Sequence, residues 1–322
     1  MISRSLTLFS GLFAFVVVAL GAWTRLADAG LGCPDWPGCY GFVTIPSTPE
    51  EIEIANSRFP ATPYEVAKAI PEVVHRYFAA TLGFLILCIY FSMHKSKEIS
   101  QSSKNLAAFI VFWVIMQGAF GYLTVSLKLW PQIVTLHLLF GFLTTVYLWL
   151  LYFKLKTETL AGAVQPTSMG FNKWLSGALI LVIFQILLGA WTSTNYAAYA
   201  CPDFPLCQGK VIPEVDMKGG FNFFQDIGPN YLGGVMDLES RTAIHMTHRL
   251  GALIVTLYLG VLIFLFYKSS FKKEALYLFL ILLLQISLGI SNVLFSLPLL
   301  VAVGHNIGGL ILLTYISTLR FR

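Results

Sequence analysis

Six histidines stand in the 322-residue chain, and four of them form a repeated pattern. His75-Arg76 in the first half is matched by His248-Arg249 in the second, and His137 is matched by His305 at nearly the same offset. Each of the four lies inside an apolar run, close to one end. Ionisable side chains in such runs are rare and mark functional sites. Zinc takes three or four protein ligands, and no cysteine or acid accompanies both pairs. Heme iron takes two axial ligands, one on each face. Bundles of helices hold such groups between side chains on facing helices. The economical reading is one bis-histidine heme site per half: His75 with His137, and His248 with His305. A hydrogen-bonded packing role is the plain alternative for any one of them alone. His94, beside Lys95, reads as a surface residue.

The residues around these pairs carry further chemistry. Arg76 and Arg249 each follow a histidine at the membrane boundary, where they could pair with heme propionates or snorkel to lipid headgroups. Glu72 stands three residues before His75 and therefore shares its helix face. The matching residue before His248 is His245. A carboxylate beside one pocket and not the other suggests divided labour, with chemistry in one half and electron movement in the other. Glu72 could act as an acid or base, or merely favour the start of a helix through the dipole. Cys33 and Cys39 flank five residues in one polar segment, and Cys201 and Cys207 do the same in another. On an oxidising face these are two short-loop disulfides. The first pair, near Glu72, could also be redox-active. Cys88 reads as apolar packing, and Gln117 and Gln285 as interhelical hydrogen bonds.

The elements that must position these groups are membrane spans. The chain is 57% hydrophobic and 11% charged, against about 25% charged in soluble domains. A surface with so few charges must meet lipid. Apolar runs of about 20 residues cross a bilayer core as helices. They fall near 5–23, 73–93, 106–126, 133–153, 173–193, 244–266, 274–296 and 300–319. The first run is too long for a signal peptide and lacks a small-residue cleavage site. One set of connections holds Arg4, Lys95, Lys97, Lys104, Lys154, Lys156, Lys173, Lys268, Lys272, Lys273, Arg320 and Arg322 with only Glu98, Glu158 and Glu274; the other 13 of 16 acids lie opposite. Both termini are therefore expected in the cytoplasm, with the long loops 24–72 and 194–243 outside. This bias accounts for the net charge of +5 without nucleic acid, and nothing suggests nucleotide use.

The sequence also repeats. Gly21-Ala22-Trp23-Thr24 matches Gly189-Ala190-Trp191-Thr192, and CPDWPGCYG from Cys33 matches CPDFPLCQG from Cys201. Gln117 matches Gln285, and all these pairs, with His137 and His305, stand at one constant offset. The offset from His75-Arg76 to His248-Arg249 is slightly larger, so the second outer loop is slightly longer. With four spans in each half, the copies share one orientation about an axis along the membrane normal. The expected fold is an all-α integral membrane protein: eight transmembrane helices in two tandem pseudo-symmetric four-helix bundles, residues 1–160 and 161–322.

The chain resembles the heme A synthases over essentially its whole length. The resemblance rests on Glu72-Val73-Val74-His75-Arg76, His137, His245-Met246-Thr247-His248-Arg249, His305, the outer cysteines and the tandem halves. It implies oxidation of the C8 methyl group of heme O to a formyl group, giving heme A for terminal oxidases. It also implies a heme B cofactor on His248 and His305 near Arg249. The substrate heme would lie on His75 and His137 near Arg76, with Glu72 as the acid–base group. Heme O synthase and a membrane electron acceptor are the implied partners, in a bacterial cell membrane; a homo-oligomer is compatible. Two other classes share the histidine pairs: a quinone-linked diheme electron-transfer subunit, and a heme transporter.

Overall fold

A computed structural model describes residues 2–159 and 170–321. The expected join between the halves, at 160 and 161, and Arg322 lie outside the described residues. The elements are α1 (Ile2–Leu26), α2 (Pro49–Arg58), α3 (Val66–Lys95), α4 (Gln101–Ser126), α5 (Pro131–Thr159), α6 (Asn172–Thr194), α7 (Met217–Gly220), α8 (Leu238–Lys268), α9 (Lys272–Leu294) and α10 (Leu299–Phe321). A turn of 3₁₀-helix, Ala197–Ala200, follows α6. Among the described residues there is no strand, and eight helices are long and apolar enough to cross a membrane. Each expected apolar run falls inside one of them, give or take a residue or two at its ends. The protein is a multi-pass membrane protein.

Two groups of four helices build the molecule. In the first, α1 packs on α3 and α5, and α4 packs on α3 and α5. In the second, α6 packs on α8 and α10, and α9 packs on α8 and α10. The groups meet where α1 lies on α10 and where α5 lies on α6 and α10. Phe142 and Val146 of α5 are buried in one cluster with Leu310, Leu313 and Ile316 of α10, so apolar packing runs continuously across the join. Phe84, Ile115, Phe184 and Leu257 are more than 60% exposed in the isolated chain. On a helix with no polar neighbour for such side chains, the solvent they face is lipid.

The outer segments hold more structure than hydropathy discloses. Helix α3 begins at Val66, ahead of the expected start at residue 73, because its first two turns pack on protein rather than lipid. Ala69 and Val73 are buried there with Cys33, Cys39 and Tyr40. The Thr24 hydroxyl lies 3.0 Å from the Pro71 carbonyl and donates to it, tying the outer end of α1 to these turns. Helix α2, inside the first outer loop, starts with a capping box: Thr48 accepts from the Glu51 amide while Glu51 accepts from the Thr48 amide, with Pro49 in the first helical position.

Irregular backbone recurs at the offset of the sequence repeat. Among the described residues, the non-glycine positions with left-handed φ are Asp28, Tyr40, Lys128 and Leu129, then Tyr196, Gln208, Ser296 and Leu297. Each member of the second set is the repeat equivalent of its counterpart in the first. Left-handed backbone is costly outside glycine, and here it falls at four pairs of positions with a single spacing.

Candidate heme sites and the outer loops

The four histidines occupy four different helices: His75 on α3, His137 on α5, His248 on α8 and His305 on α10. The structure brings them together as pairs. The ring centres of His75 and His137 are 6.5 Å apart, with the planes at 90°. Two imidazoles on opposite sides of one metal, each bonded at about 2.0–2.1 Å, have ring centres roughly 6 Å apart. His248 and His305 lie within electrostatic reach of each other. No cluster of three or more histidine, cysteine or acid residues suited to a metal ion occurs among the described residues. Each pair thus consists of two imidazoles on different helices, with no third ligand of these types grouped with them among the described residues.

Each histidine also rests against a glycine of a neighbouring helix. A Cβ at Gly21 would come 2.8 Å from Cε1 of His75, one at Gly121 3.4 Å from His137, one at Gly189 3.1 Å from His248, and one at Gly289 3.0 Å from His305. Separations near 3 Å cannot be met by a real side chain without displacing the ring. The glycines thus fix how closely the helices approach and leave the imidazoles room to turn inward. Gly21 and Gly189 are repeat equivalents, as are Gly121 and Gly289. The Nδ1 atoms of His75, His137 and His305 are buried without a hydrogen-bond partner, so these imidazoles are not held by side-chain bonds at that nitrogen. These donor sets fit heme iron.

In the first half the Glu72 carboxylate is 4% exposed as a residue and has two partners. Its Oε1 accepts from Arg76 Nη2 at 2.5 Å, and its Oε2 accepts from the Cys33 amide at 2.9 Å. It thus sits between an iron-ligand candidate one turn away and the Cys33–Cys39 disulfide, which is formed. The equivalent His245 is also buried, with Nδ1 3.1 Å from the Ala197 carbonyl. The second half has the matching disulfide, Cys201–Cys207; both expected pairings are present. Cys88 is the free cysteine among the described residues.

The arginines hold loop backbone. Arg76 Nη1 donates to the carbonyls of Asp35 and Gly38. Arg249 donates to those of Cys201, Asp203 and Leu206. Asp203 and Leu206 are the repeat equivalents of Asp35 and Gly38, so both guanidinium forks clamp the same turn of the disulfide loop. Below each loop, Gln117 donates to the His137 carbonyl at 2.9 Å, and Gln285 lies 3.5 Å from Nε2 of His305. Gln185 is a site residue that the sequence reading passes over; it touches Nδ1 of His248 at 3.0 Å. The available signal was a polar residue at 185 where the equivalent first-half position is Val17.

Eight spans, two histidine pairs and disulfide-closed outer loops define a multi-pass membrane protein with candidate heme sites. Comparison with known proteins narrows the class. The COX15-CtaA family, described as cytochrome oxidase assembly protein, matches residues 4–317. The heme A synthase of Shewanella oneidensis is 42% identical over 310 residues, covering 96% of this chain and 93% of that protein. Those of Wolbachia sp. subsp. Brugia malayi and Neorickettsia sennetsu are each 26% identical, covering 92% and 95% of this chain and 89% and 94% of their own lengths. The chain belongs to the heme A synthase family of cytochrome oxidase assembly proteins.

Proposed function

We propose that this protein makes heme A by oxidising the C8 methyl group of heme O to a formyl group. The observation that carries the reading is an asymmetry within a shared design. Both halves have the histidine pair and the clamped disulfide loop, but only the first places a carboxylate, Glu72, one helical turn from the pair. His75 and His137 would hold the substrate heme, and His248 and His305 a heme B cofactor. Arg76 and Arg249 keep positive charge at the outer rim, where propionates would extend. Residues 1–160 and 161–322 then form two units with separate tasks, built on one plan, as the matched backbone irregularities support.

Conversion of a methyl group to a formyl group with water as oxygen donor releases four electrons and four protons. Heme B supplies one-electron redox chemistry in the second half. The protein's own task in the first half is proton handling and alignment. Glu72 is positioned to take a proton, because its carboxylate lies on the same face of α3 as His75. Arg76 and the Cys33 amide fix both carboxylate oxygens, so the base does not wander. His75 and His137, backed by Gly21 and Gly121, set the plane of the substrate. A membrane electron acceptor would take up the four electrons, and His248 and His305 would hold the group that relays them. A heme O synthase would supply the substrate, and both termini would face the cytoplasm.

The test is co-expression with a heme O synthase, followed by heme extraction and chromatography. Heme A should appear only when the intact protein is present. An extract holding heme B alone, with heme O unchanged, would fit an electron-transfer subunit instead. Heme O bound stoichiometrically and released unaltered would fit a transporter.

A further inference from the structure

The first half is closed toward lipid by an aromatic pair that the second half cannot form. Helices α1 and α5 are covered by the second half, through α10 and α6, whereas α3 and α4 pack on first-half helices and carry exposed apolar side chains such as Phe84, Phe112 and Ile115. The seam between α3 and α4 is therefore the side of the first site that meets the membrane. Its outer end is bridged by the disulfide loop. That loop sits on α3, where Arg76 holds the Asp35 and Gly38 carbonyls and the Tyr77 hydroxyl donates to the Val43 carbonyl at 2.6 Å. From there Trp36 reaches α4 and packs edge-on against Tyr122, with ring centres 5.7 Å apart and planes at 69°. Both rings are 47% exposed. Below this bridge the seam is open. Gly118 lies one turn below Tyr122 on α4, and Gly83 two turns below Arg76 on α3; residues four and seven apart share a helix face. A Cβ at either glycine would meet no atom within 4 Å. Gly121, beside Tyr122, faces the His137 ring, so the seam leads inward to the histidine pair. The repeat equivalents in the second half are Phe204 and Ile290 for the aromatic pair, and Thr256 and Ile286 for the two open glycines. Phe204 lies under the Arg249 guanidinium, 5.8 Å from its ring centre. The Thr256 hydroxyl donates to the Ala252 carbonyl, and Ile286 packs on the apolar core.

We propose that the α3–α4 seam is the lateral doorway by which heme O passes from the membrane to His75 and His137, and that Trp36 and Tyr122 are its latch. This rests on the assignment of the substrate to that histidine pair. Heme O carries a long isoprenoid chain and partitions into lipid, and a route through the water-facing loops would expose that chain to water. Helices α1 and α5 cannot part without disturbing the second half, whereas α3 and α4 part toward lipid. Glycines on both walls of the seam leave no side chain to displace. An aromatic pair suits a latch, because its contact adds only modestly to the burial of the two rings and can be broken and remade. The loop that carries Trp36 is held by Arg76, which also binds Glu72, so closing the latch and fixing the carboxylate engage the same guanidinium. A resident cofactor needs no doorway, and in the second half Thr256 and Ile286 stand at the places that the first half leaves open.

The experiment uses the full-length protein with its bound heme, purified from cells without heme O and held in phospholipid nanodiscs. Heme O is supplied in phosphatidylcholine vesicles, and its uptake is followed as added low-spin heme absorbance. Gly118→Ile and the double variant Gly83→Thr/Gly118→Ile install the side chains that the second half already carries at the equivalent places, so the same fold accommodates them. Uptake should slow on the order of 10-fold, the effect of adding side-chain volume to a close-packed passage. KM should rise, while heme O already bound is converted at the wild-type rate in a single turnover. Trp36→Ala and Tyr122→Ala should act in the opposite sense, speeding uptake and release about 2–10-fold, and Trp36→Phe should restore most of the latch. Removing a residue that only supports the fold would slow uptake, not speed it. Wild-type uptake in the seam variants, or unchanged or slower uptake in the two alanine variants, would overturn the proposal. His75→Ala separates the two levels of inference. If that variant still takes up heme O as a low-spin species, the substrate assignment fails; if it does not, while the seam and latch variants match the wild type, only the doorway fails.

Discussion

Glu72 has one oxygen on Arg76 and the other on the Cys33 amide, and substitution can separate its chemical role from its structural one. Helix α3 starts at Val66, so Glu72 lies nearly two turns inside the helix and is not a first-turn dipole charge. Glu72→Gln keeps the size and can still accept from the Cys33 amide, but it cannot take a proton. Heme A formation should fall on the order of 10²–10⁴-fold, the usual contribution of a general acid or base, while the heme B spectrum stays intact. Heme O should accumulate. Normal heme A output from well-folded Glu72→Gln protein would leave the carboxylate a loop anchor only. The proposed heme B ligands answer to a different measurement. On that proposal His248→Ala or His305→Ala would each remove one of two iron bonds, so the low-spin heme B spectrum should vanish along with activity. His75→Ala should leave that spectrum in place and abolish turnover.

At the scale of elements, the disulfide loops are small folded units, and their internal bonds predict their response to acid. The Asp203 carboxylate accepts from the amides of Gln208 and Gly209 at 2.7 and 2.8 Å. The Gly209 amide foremost, with the Gln208 amide and Arg249 adding to it, holds this carboxyl below its usual 3.8. A carboxyl lowered in the folded state stabilises the fold above its unfolded value and loses that contribution as pH falls through the lowered one. Amide-exchange protection at Gln208 and Gly209 should therefore hold down to pH 3.8 and fail below it, and Asp203→Asn should remove the pH dependence. Protection lost already well above that value would contradict this. These elements also show what can be read from sequence. The histidine pairs, Glu72 and the disulfides were legible because each is a chemically expensive residue in a repeated setting. Helix α2 was legible in principle, since Ser47-Thr48-Pro49-Glu50-Glu51 spells a capping box, but hydropathy does not mark it. The early start of α3 was not legible, because Ala69 and Val73 owe their burial to a loop distant in sequence. The arginine clamps were not legible either, since loop carbonyls leave no trace in side-chain identity.

At the scale of the whole molecule, the question is what fixes one half against the other, because the proposed reaction needs a fixed path between them. Part of the answer lies at the outer end of α1. Arg25 donates to the Tyr196 hydroxyl at 2.8 Å and to the Ser193 carbonyl, and its guanidinium lies 4.2 Å from the Tyr196 ring centre. The Tyr196 hydroxyl donates in turn to Asp28 at 2.7 Å. Asp28 and Tyr196 are repeat equivalents, as are Arg25 and Ser193, and Asp28 and Tyr196 both have left-handed backbone. Both residue pairs stand at the spacing of the sequence repeat, and the cluster acts as a pin between α1 and the segment after α6. Thr135 and Thr194, which share a buried hydrogen bond at 3.3 Å, add a second link between α5 and α6. Burial foremost pushes the Tyr196 hydroxyl above its usual 10.0. A group raised in the folded state contributes stability below its unfolded value and loses it as pH rises through the higher one, so the pin should survive to at least pH 10.0. Hydrogen bonds to charged groups contribute about 1.5–3 kcal/mol. Arg25→Ala and Tyr196→Phe should each destabilise the protein by about 1–3 kcal/mol, read from denaturant unfolding followed through the heme band. Because both remove the same bond, the double variant should lose less than the sum of the singles, with a coupling of about 0.5–3 kcal/mol. Strictly additive losses would mean that the two side chains act separately, and that the spacing of the halves rests on the helix contacts of α1 with α10 and of α5 with α6 and α10.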